Sequence, residues 1–430
     1  MQWKLTLTRA ALADLSAGLR ANPARVRVCP AGFSRLPEST ELLLHSVDSS
    51  MPATRGLPAR VVVLGAAAER DLPARLCHAL ERPVTDPPAV FLALGTSAAS
   101  GHVAGFGYPS LGVAEPLSSL TVVAEGLPRI TPSTSAGLPL SLTESDIWSR
   151  TIGALGENVW RRLTELHYCI IGCGRTGSQM AASLSRFGAK RLTLIDPDRW
   201  EMHNLGECDT VGVAAVGQAK ATALAGSLAD SLASQREGAN LSALKESALA
   251  LPALIAAKES DVLICAADNA TAHLATAVLA KLYLKPLLDI GTGVLTMPGG
   301  GRRMGADVRL VLPDRCLMCF GGVAGFAEAR RELLEGRIAR NHSTRDWQRE
   351  RIGSLRSLNM IASGHALRLL EEFAAGRIRA STWLNLEFGG NGLPALTTPA
   401  SEINGRCAAC GFTGHGDSGI TQLADMLRAA

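Results

Sequence analysis

The sequence is most informative at first through what it lacks. Neither charge sign is in excess: Lys and Arg number 43 against 39 Asp and Glu, a net charge of +4 over 430 residues. The arginines are scattered rather than gathered in a stripe with aromatics, so a nucleic-acid surface is not indicated. The opening MQWKLTLTRAALADL carries polar residues every few positions and has no apolar run long enough for a secretory signal or a membrane span. A cytoplasmic protein with no membrane partner is therefore expected. Ten cysteines without an export signal read as metal ligands, nucleophiles or buried small residues rather than a disulfide framework. No internal repeat or low-complexity block is present, and the length exceeds what one compact core usually holds, which predicts two or three domains.

Residues 1–125 alternate helix-like and strand-like pieces (residues 8–19, ELLLHSV, ARVVVLG, AVFLALG, LTVVAEG) with Pro- and Gly-bearing turns, and predict a separate α/β accessory domain. Residues 126–143, rich in Pro, Ser, Thr and Gly, read as a linker, and residues 144–430 as a second, larger domain. That domain opens with a helical stretch over 144–166. A β–α–β pattern follows: YCIIG, a helix after Gly177, then RLTLID, with later strands DVLICAA and PLLDIG and helices over 216–232 and 270–284. Such alternation predicts an α/β fold with a doubly wound, mainly parallel, Rossmann-like sheet. Beyond residue 291 come a strand candidate DVRLVLP, a helical region over 330–373 and a cysteine-bearing tail.

Gly172-Cys173-Gly174-Arg175-Thr176-Gly177 fits G-x-G-x-x-G between strand and helix, where glycines allow a tight turn and let backbone N–H groups approach phosphate. Asp196 ends the next strand, where a carboxylate accepts hydrogen bonds from ribose hydroxyls. These features specify a nucleotide without choosing between NAD and ATP. The choice comes from Asp198, Asn204 and Lys220, and from Asp268-Asn269 directly after DVLICAA, at the carboxyl edge where open α/β sheets bind ligands. A mobile ammonium and a strand-end carboxylate suit a triphosphate with Mg²⁺.

D-x-D…N-L…V-G-x-x-K-A after the glycine loop, followed by C-x-x-D-N, resembles the ThiF family of adenylating enzymes, which includes ubiquitin-activating enzymes and activators of sulfur-carrier proteins. The resemblance implies that Gly172, Gly174, Gly177 and Asp196 cradle adenosine, that Asn204 and Lys220 meet the phosphates, and that Asp268 binds Mg²⁺, with Asp198 and Asn269 beside them. Arg150, in IWSRTIG, resembles the arginine that the family sets near the triphosphate; a surface arginine is the alternative. Where relatives read N-L-x-R-Q, this chain reads Asn204-Leu205-Gly206-Glu207-Cys208, so either positive charge comes from elsewhere, with Arg175 and Arg150 as candidates, or catalytic power is reduced. The implied activity is ATP-dependent adenylation of the C-terminal carboxylate of a ubiquitin-like or sulfur-carrier protein ending in glycine. A ubiquitin-conjugating-type enzyme as second partner, a homodimer, and a place in a bacterial ubiquitin-like conjugation system used in antiphage defence are further implications.

Cys316-Leu317-Met318-Cys319 and Cys407-Ala408-Ala409-Cys410 each place two thiolates one turn of chain apart. Four thiolates make a closed tetrahedral Zn²⁺ site, structural because no coordination position remains for substrate. Residues 320–406 hold no cysteine to act as an acyl acceptor. Cys208, near the expected nucleotide, is the candidate for a thioester; packing is its alternative, and direct transfer to a partner's thiol the simpler route. Cys169, Cys173 and Cys265 read as buried small residues. His102, His203, His342 and His365 have no metal-ligand spacing, and Arg302, Arg303 and the basic residues of 330–351 read as a solvated face. In the N-terminal domain the order of elements and the Gly-rich segment 94–110 are similar to JAMM isopeptidase domains. The His-x-His pair those need is absent, and a generic accessory domain is the alternative. Two other functional classes stay open: a non-catalytic scaffold that keeps the fold and zinc, and an NAD-dependent oxidoreductase, for which no hydride-transfer acid or base is found.

Overall fold

In the computed structural model the described residues are 2–21, 27–47, 59–65, 89–94, 103–108, 115–123, 129–130, 146–229, 236, 238–296, 302–322, 355–389, 392–400 and 407–422. Most of the expected linker, together with His102, His342 and residues 330–351, lies outside them, as do the side chains of Arg302 and Arg303. The chain divides into two compact units, one of residues 1–139, 281–284 and 408–430, the other of residues 140–280 and 285–407. No helix among the described residues is long and apolar enough to cross a membrane.

The first unit is built on strands β1 (Gln2–Thr8), β2 (Arg27–Leu36), β3 (Ser39–Leu44), β4 (Ala59–Gly65), β5 (Ala89–Leu94), β6 (Val103–Tyr108), β7 (Glu115–Val123) and β8 (Arg129–Ile130), with helix α1 (Arg9–Ala21). Their order is β1-β3-β2-β4-β5-β6-β7-β8, and β7 also pairs with β1, so the ladder closes on itself. In β2 the first half pairs with β4 and the second with β3. Trp3, Leu5 and Leu7 point inward from β1 onto Leu42, Leu44, Val61, Val63 and Leu120. The Thr8 hydroxyl accepts the Ala11 N–H at 3.2 Å and caps α1, whose Ala11 and Leu15, four residues apart, pack on the same core. Among the described residues this unit is mainly β, with one long helix. The Gly-rich segment 94–110 contains strand β6.

The second unit carries α2 (Ser149–Leu155), α3 (Glu157–Glu165), β9 (His167–Ile171), α4 (Arg175–Phe187), β10 (Arg191–Ile195), α5 (Lys220–Leu228), β11 (Asn240–Leu244), α6 (Leu251–Glu259), β12 (Val262–Cys265), α7 (Ala270–Leu282), β13 (Leu287–Thr296), β14 (Arg302–Val311), α8 (Arg356–Ala374), β15 (Thr382–Phe388) and β16 (Pro394–Thr397); the short α9 (Ala408–Gly411) is counted with the first unit. The sheet order is β11-β10-β9-β12-β13-β14-β15-β16. β11 to β13 pair in parallel, and β13 to β16 antiparallel. The mainly parallel, doubly wound sheet expected from the apolar runs is present. Burial on both faces explains the unbroken hydrophobicity of HYCII and VLIC. Three boundaries differ from expectation. α4 starts at Arg175, ahead of Gly177; the helix expected from 216 starts only at Lys220, as α5, because Gly217 takes φ +85° and a 3₁₀ turn precedes it; and Gly156, at φ +82°, splits the 144–166 stretch into α2 and α3.

Candidate functional site

β9, β10 and β12 are neighbours in the parallel part of the sheet, and each ends in a residue expected at the site: Gly172, Asp196 and, after two alanines, Asp268. The glycines are there for closeness. Gly172 has φ +90°, and a Cβ on it would stand 2.7 Å from the Ala267 nitrogen; a Cβ on Gly177 would stand 1.8 Å from the Gly172 carbonyl oxygen. Gly174, which precedes α4, has nothing within 4 Å of a built Cβ, so the open side of the loop lies there. The first N–H groups of a helix lack intrahelical partners and favour an anion.

Asp196 is 5% exposed and is the pivot of the loop. Its carboxylate accepts the Cys173 N–H at 2.7 Å and the Asp198 N–H at 2.8 Å. Burial raises its pKa above the ordinary carboxylate value, against the opposing pull of Lys220 and the two N–H bonds. Lys220, the first residue of α5, donates from Nζ to Asp198 Oδ2 at 3.1 Å. Burial works against its charge, but Asp196, Asp198 and Asp268 outweigh burial and raise its pKa. The structure thus gathers Asp196, Asp198, Lys220 and Asp268 in one electrostatic group.

The other expected residues are placed as follows. Asp268 and Asn269 are exposed, and Asn269 Oδ1 accepts the Ala272 N–H at 2.9 Å, which makes it the N-cap of α7. Asn204 sits in the 3₁₀ turn Met202–Glu207, its Oδ1 accepting the Glu201 N–H at 3.0 Å. Glu207 accepts a hydrogen bond from Asn359 Nδ2 of α8 at 3.3 Å, so its carboxylate is engaged by a neighbouring helix. Arg175 is half-buried as the first residue of α4, and Arg150 is exposed on α2. Cys208 is buried beside Trp200 and Ala215, its Sγ 3.3 Å from Ser178 Oγ and 3.1 Å from Thr210 Oγ1. Cys169, Cys173 and Cys265 are fully buried, as a packing role requires.

A group that the sequence reading missed stands behind the Asp268 loop. His273 of α7 bonds through Nδ1 to Asp289 of β13 and through Nε2 to the Ala267 carbonyl at 3.0 Å, with Cys265 beside it. A lone histidine on a helix gives no spacing signal; its place one turn after Asp268-Asn269 was the available hint. The sulfurs of Cys316, Cys319, Cys407 and Cys410 lie within 4.8 Å of one another, and Cys316 Sγ and Cys407 Sγ are 3.4 Å apart. Sulfurs around a tetrahedral zinc are about 3.8 Å apart, given Zn–S bonds of about 2.3 Å, so the four thiols fit that ion.

Fold and site together define a doubly wound α/β nucleotide-binding domain of the kind that sets a glycine loop and a strand-end acid at the sheet's carboxyl edge. Residues 148–333 match the family model of the ThiF family. No curated protein matches the chain. Similar solved structures include E. coli MccB with ATP, at 16% identity and a TM-score of 0.46 over 62% of this chain and 74% of that one. They also include the microcin C7 biosynthetic enzyme MccB in complex with N-formylated MccA, at 16% and 0.47 over 64% and 77%. Selenomethionine PaaA matches at 17% and 0.43 over 62% and 77%.

Proposed function

We propose that the second unit binds ATP with Mg²⁺ and adenylates the C-terminal carboxylate of a peptide or protein, of which a ubiquitin-like or sulfur-carrier protein is the favoured class. The observation that carries the reading is the single ammonium of Lys220 among Asp196, Asp198 and Asp268, beside the glycine loop. With more carboxylates than ammonium groups, this cluster repels a bare triphosphate. A divalent cation reconciles the two, and the exposed Asp268, with Asp198 close by, offers it hard oxygen ligands. When bound, Mg²⁺ would neutralise charge on the phosphates.

The chain's own groups then have separable tasks. Asp196 fixes the glycine loop through the Cys173 N–H and has the position to meet ribose hydroxyls. The first turn of α4 presents N–H groups to phosphate. Lys220 leaves Asp198 for the polyphosphate and stabilises charge as the carboxylate attacks the α-phosphate and pyrophosphate departs. The products are an acyl adenylate, which is a mixed anhydride, and pyrophosphate; a thiol then attacks the acyl carbon, a thioester forms and AMP leaves. Burial of Cys208 favours a partner's thiol as acceptor over a thioester on this chain. The four-cysteine group would hold zinc as a structural clamp, and the separate first unit suits recognition within a larger conjugation system, antiphage defence included.

The test is exchange of labelled pyrophosphate into ATP with a purified carrier ending in glycine. Carrier-dependent exchange that Asp268→Asn abolishes supports the reading. Nucleotide binding without exchange favours the scaffold, and turnover that requires nicotinamide favours the oxidoreductase.

A further inference from the structure

Behind the Asp268 loop, charged groups run from α7 across the sheet in alternating sign. His273 Nδ1 faces Asp289 of β13; Asp289 Oδ2 lies 3.6 Å from Arg309 Nη1 of β14; Arg309 Nη2 lies 3.2 Å from Asp307 Oδ2; and Asp307 Oδ1 accepts Trp383 Nε1 and Asn385 Nδ2 of β15 at 2.7 and 3.0 Å. His273, Asp289 and Arg309 are buried or nearly so. On its other side the His273 ring reaches the Ala267 carbonyl, one residue before Asp268. The same loop touches the glycine loop: the Ala266 N–H donates to Ile171 O at 2.9 Å, and Gly172 approaches Ala266 and Ala267 so closely that no Cβ fits.

We propose that His273 is a positioning residue: anchored to Asp289, it pins the Ala267 carbonyl, clamps the 266–268 loop against the glycine loop and so sets Asp268 where its charge reaches Lys220. This rests on the ATP reading for its functional consequence and on geometry alone for the clamp. The carboxylate at Nδ1 and the carbonyl at Nε2 only accept, so both ring nitrogens donate and the ring is the imidazolium cation. The Cys265 sulfur and Asp289 favour that cation against burial. Sulfur, nitrogen and oxygen grouped this way also suit a divalent metal. Here, however, Nδ1 is engaged with one oxygen of Asp289 and the Arg309 guanidinium stands beside the other, so the positive charge is already supplied.

Two substitutions separate the ring's two bonds. His273→Gln keeps a donor near Nε2, toward Ala267; His273→Asn keeps one near Nδ1, toward Asp289, and frees the loop. In the full chain, hydrogen exchange of the Ala266 amide is expected to quicken by about tenfold in His273→Asn and to stay near wild type in His273→Gln. The Mg²⁺ concentration that half-saturates ATP binding is expected to rise about 10- to 100-fold in the first and little in the second. Equal exchange in the two variants, or greater loosening in His273→Gln, overturns the clamp. A second equivalent of bound metal lost with His273 overturns it in favour of a metal centre. Should exchange follow the prediction while wild type binds no ATP, the clamp stands and the nucleotide reading falls.

Discussion

Replacing Gly177 by alanine reverses a rule that holds elsewhere in the same sheet domain. Glycine inside a helix costs up to about 1 kcal/mol relative to alanine, so an alanine on an open helix is stabilising. Gly226, exposed in α5 with nothing within 4 Å of a built Cβ, meets that condition. Gly177, in the first turn of α4, does not: its Cβ would stand 1.8 Å from the Gly172 oxygen and 2.9 Å from the Gly172 carbonyl carbon, both backbone atoms. The loop or the helix must then move by about 1 Å or more, and overpacking of this kind costs about 1–3 kcal/mol. At about 2–4 °C per kcal/mol for a domain of this size, Gly177→Ala is expected to lower the melting temperature by several degrees and Gly226→Ala to raise it by a few. Thermal scans of both variants beside wild type give the comparison directly. A Gly177→Ala protein that melts at or above wild type would refute the close approach of α4 to the glycine loop.

Metal analysis is expected to find about one zinc per chain, lost on Cys407→Ala, with chelators lowering the melting temperature; a metal-free, fully folded wild type contradicts the four-thiol site. Lys220 has a pKa raised above its unfolded value of 10.5. Its stabilising contribution is therefore complete below that pH and lost as pH rises through the folded value. The stability difference between wild type and Lys220→Met should be flat from pH 7 to 9 and shrink above about pH 10.5; a change near neutrality counts against the cluster. Cys208, buried at 7% exposure, should resist alkylation in the native protein and react on denaturation, and fast native labelling would return it to candidacy as a nucleophile.

The parallel core was legible because β9, β10 and β12 are apolar runs bounded by turn signals, and burial on both faces makes such runs conspicuous. The glycine loop, Asp196 and Lys220 were legible for a related reason, since close backbone approach and strand-end acids restrict residue choice. β1 was hidden because QWKLTLT interleaves its inward Trp3, Leu5 and Leu7 with Lys4 and threonines, and β6 because VAGFGY has the glycines of a loop. Its strand state is set by pairing with β5, which no local window contains. The helix expected over 216–232 stopped short at its start because Gly217 has positive φ, a backbone fact that apolar spacing does not report. His273 escaped notice because its partners, Asp289 and the Ala267 carbonyl, are assembled by the β12–α7–β13 crossover. Asn269 and Glu207 acquired partners, the Ala272 N–H and Asn359, that their motif context did not reveal.

The most direct test of the nucleotide site is calorimetric titration of the full chain with ATP, with and without Mg²⁺, alongside Lys220→Ala and Asp268→Asn. Saturable binding that needs Mg²⁺, weakened about tenfold or more by either substitution, is the predicted result. No association in the presence of Mg²⁺, or affinity unchanged in both variants, would contradict it.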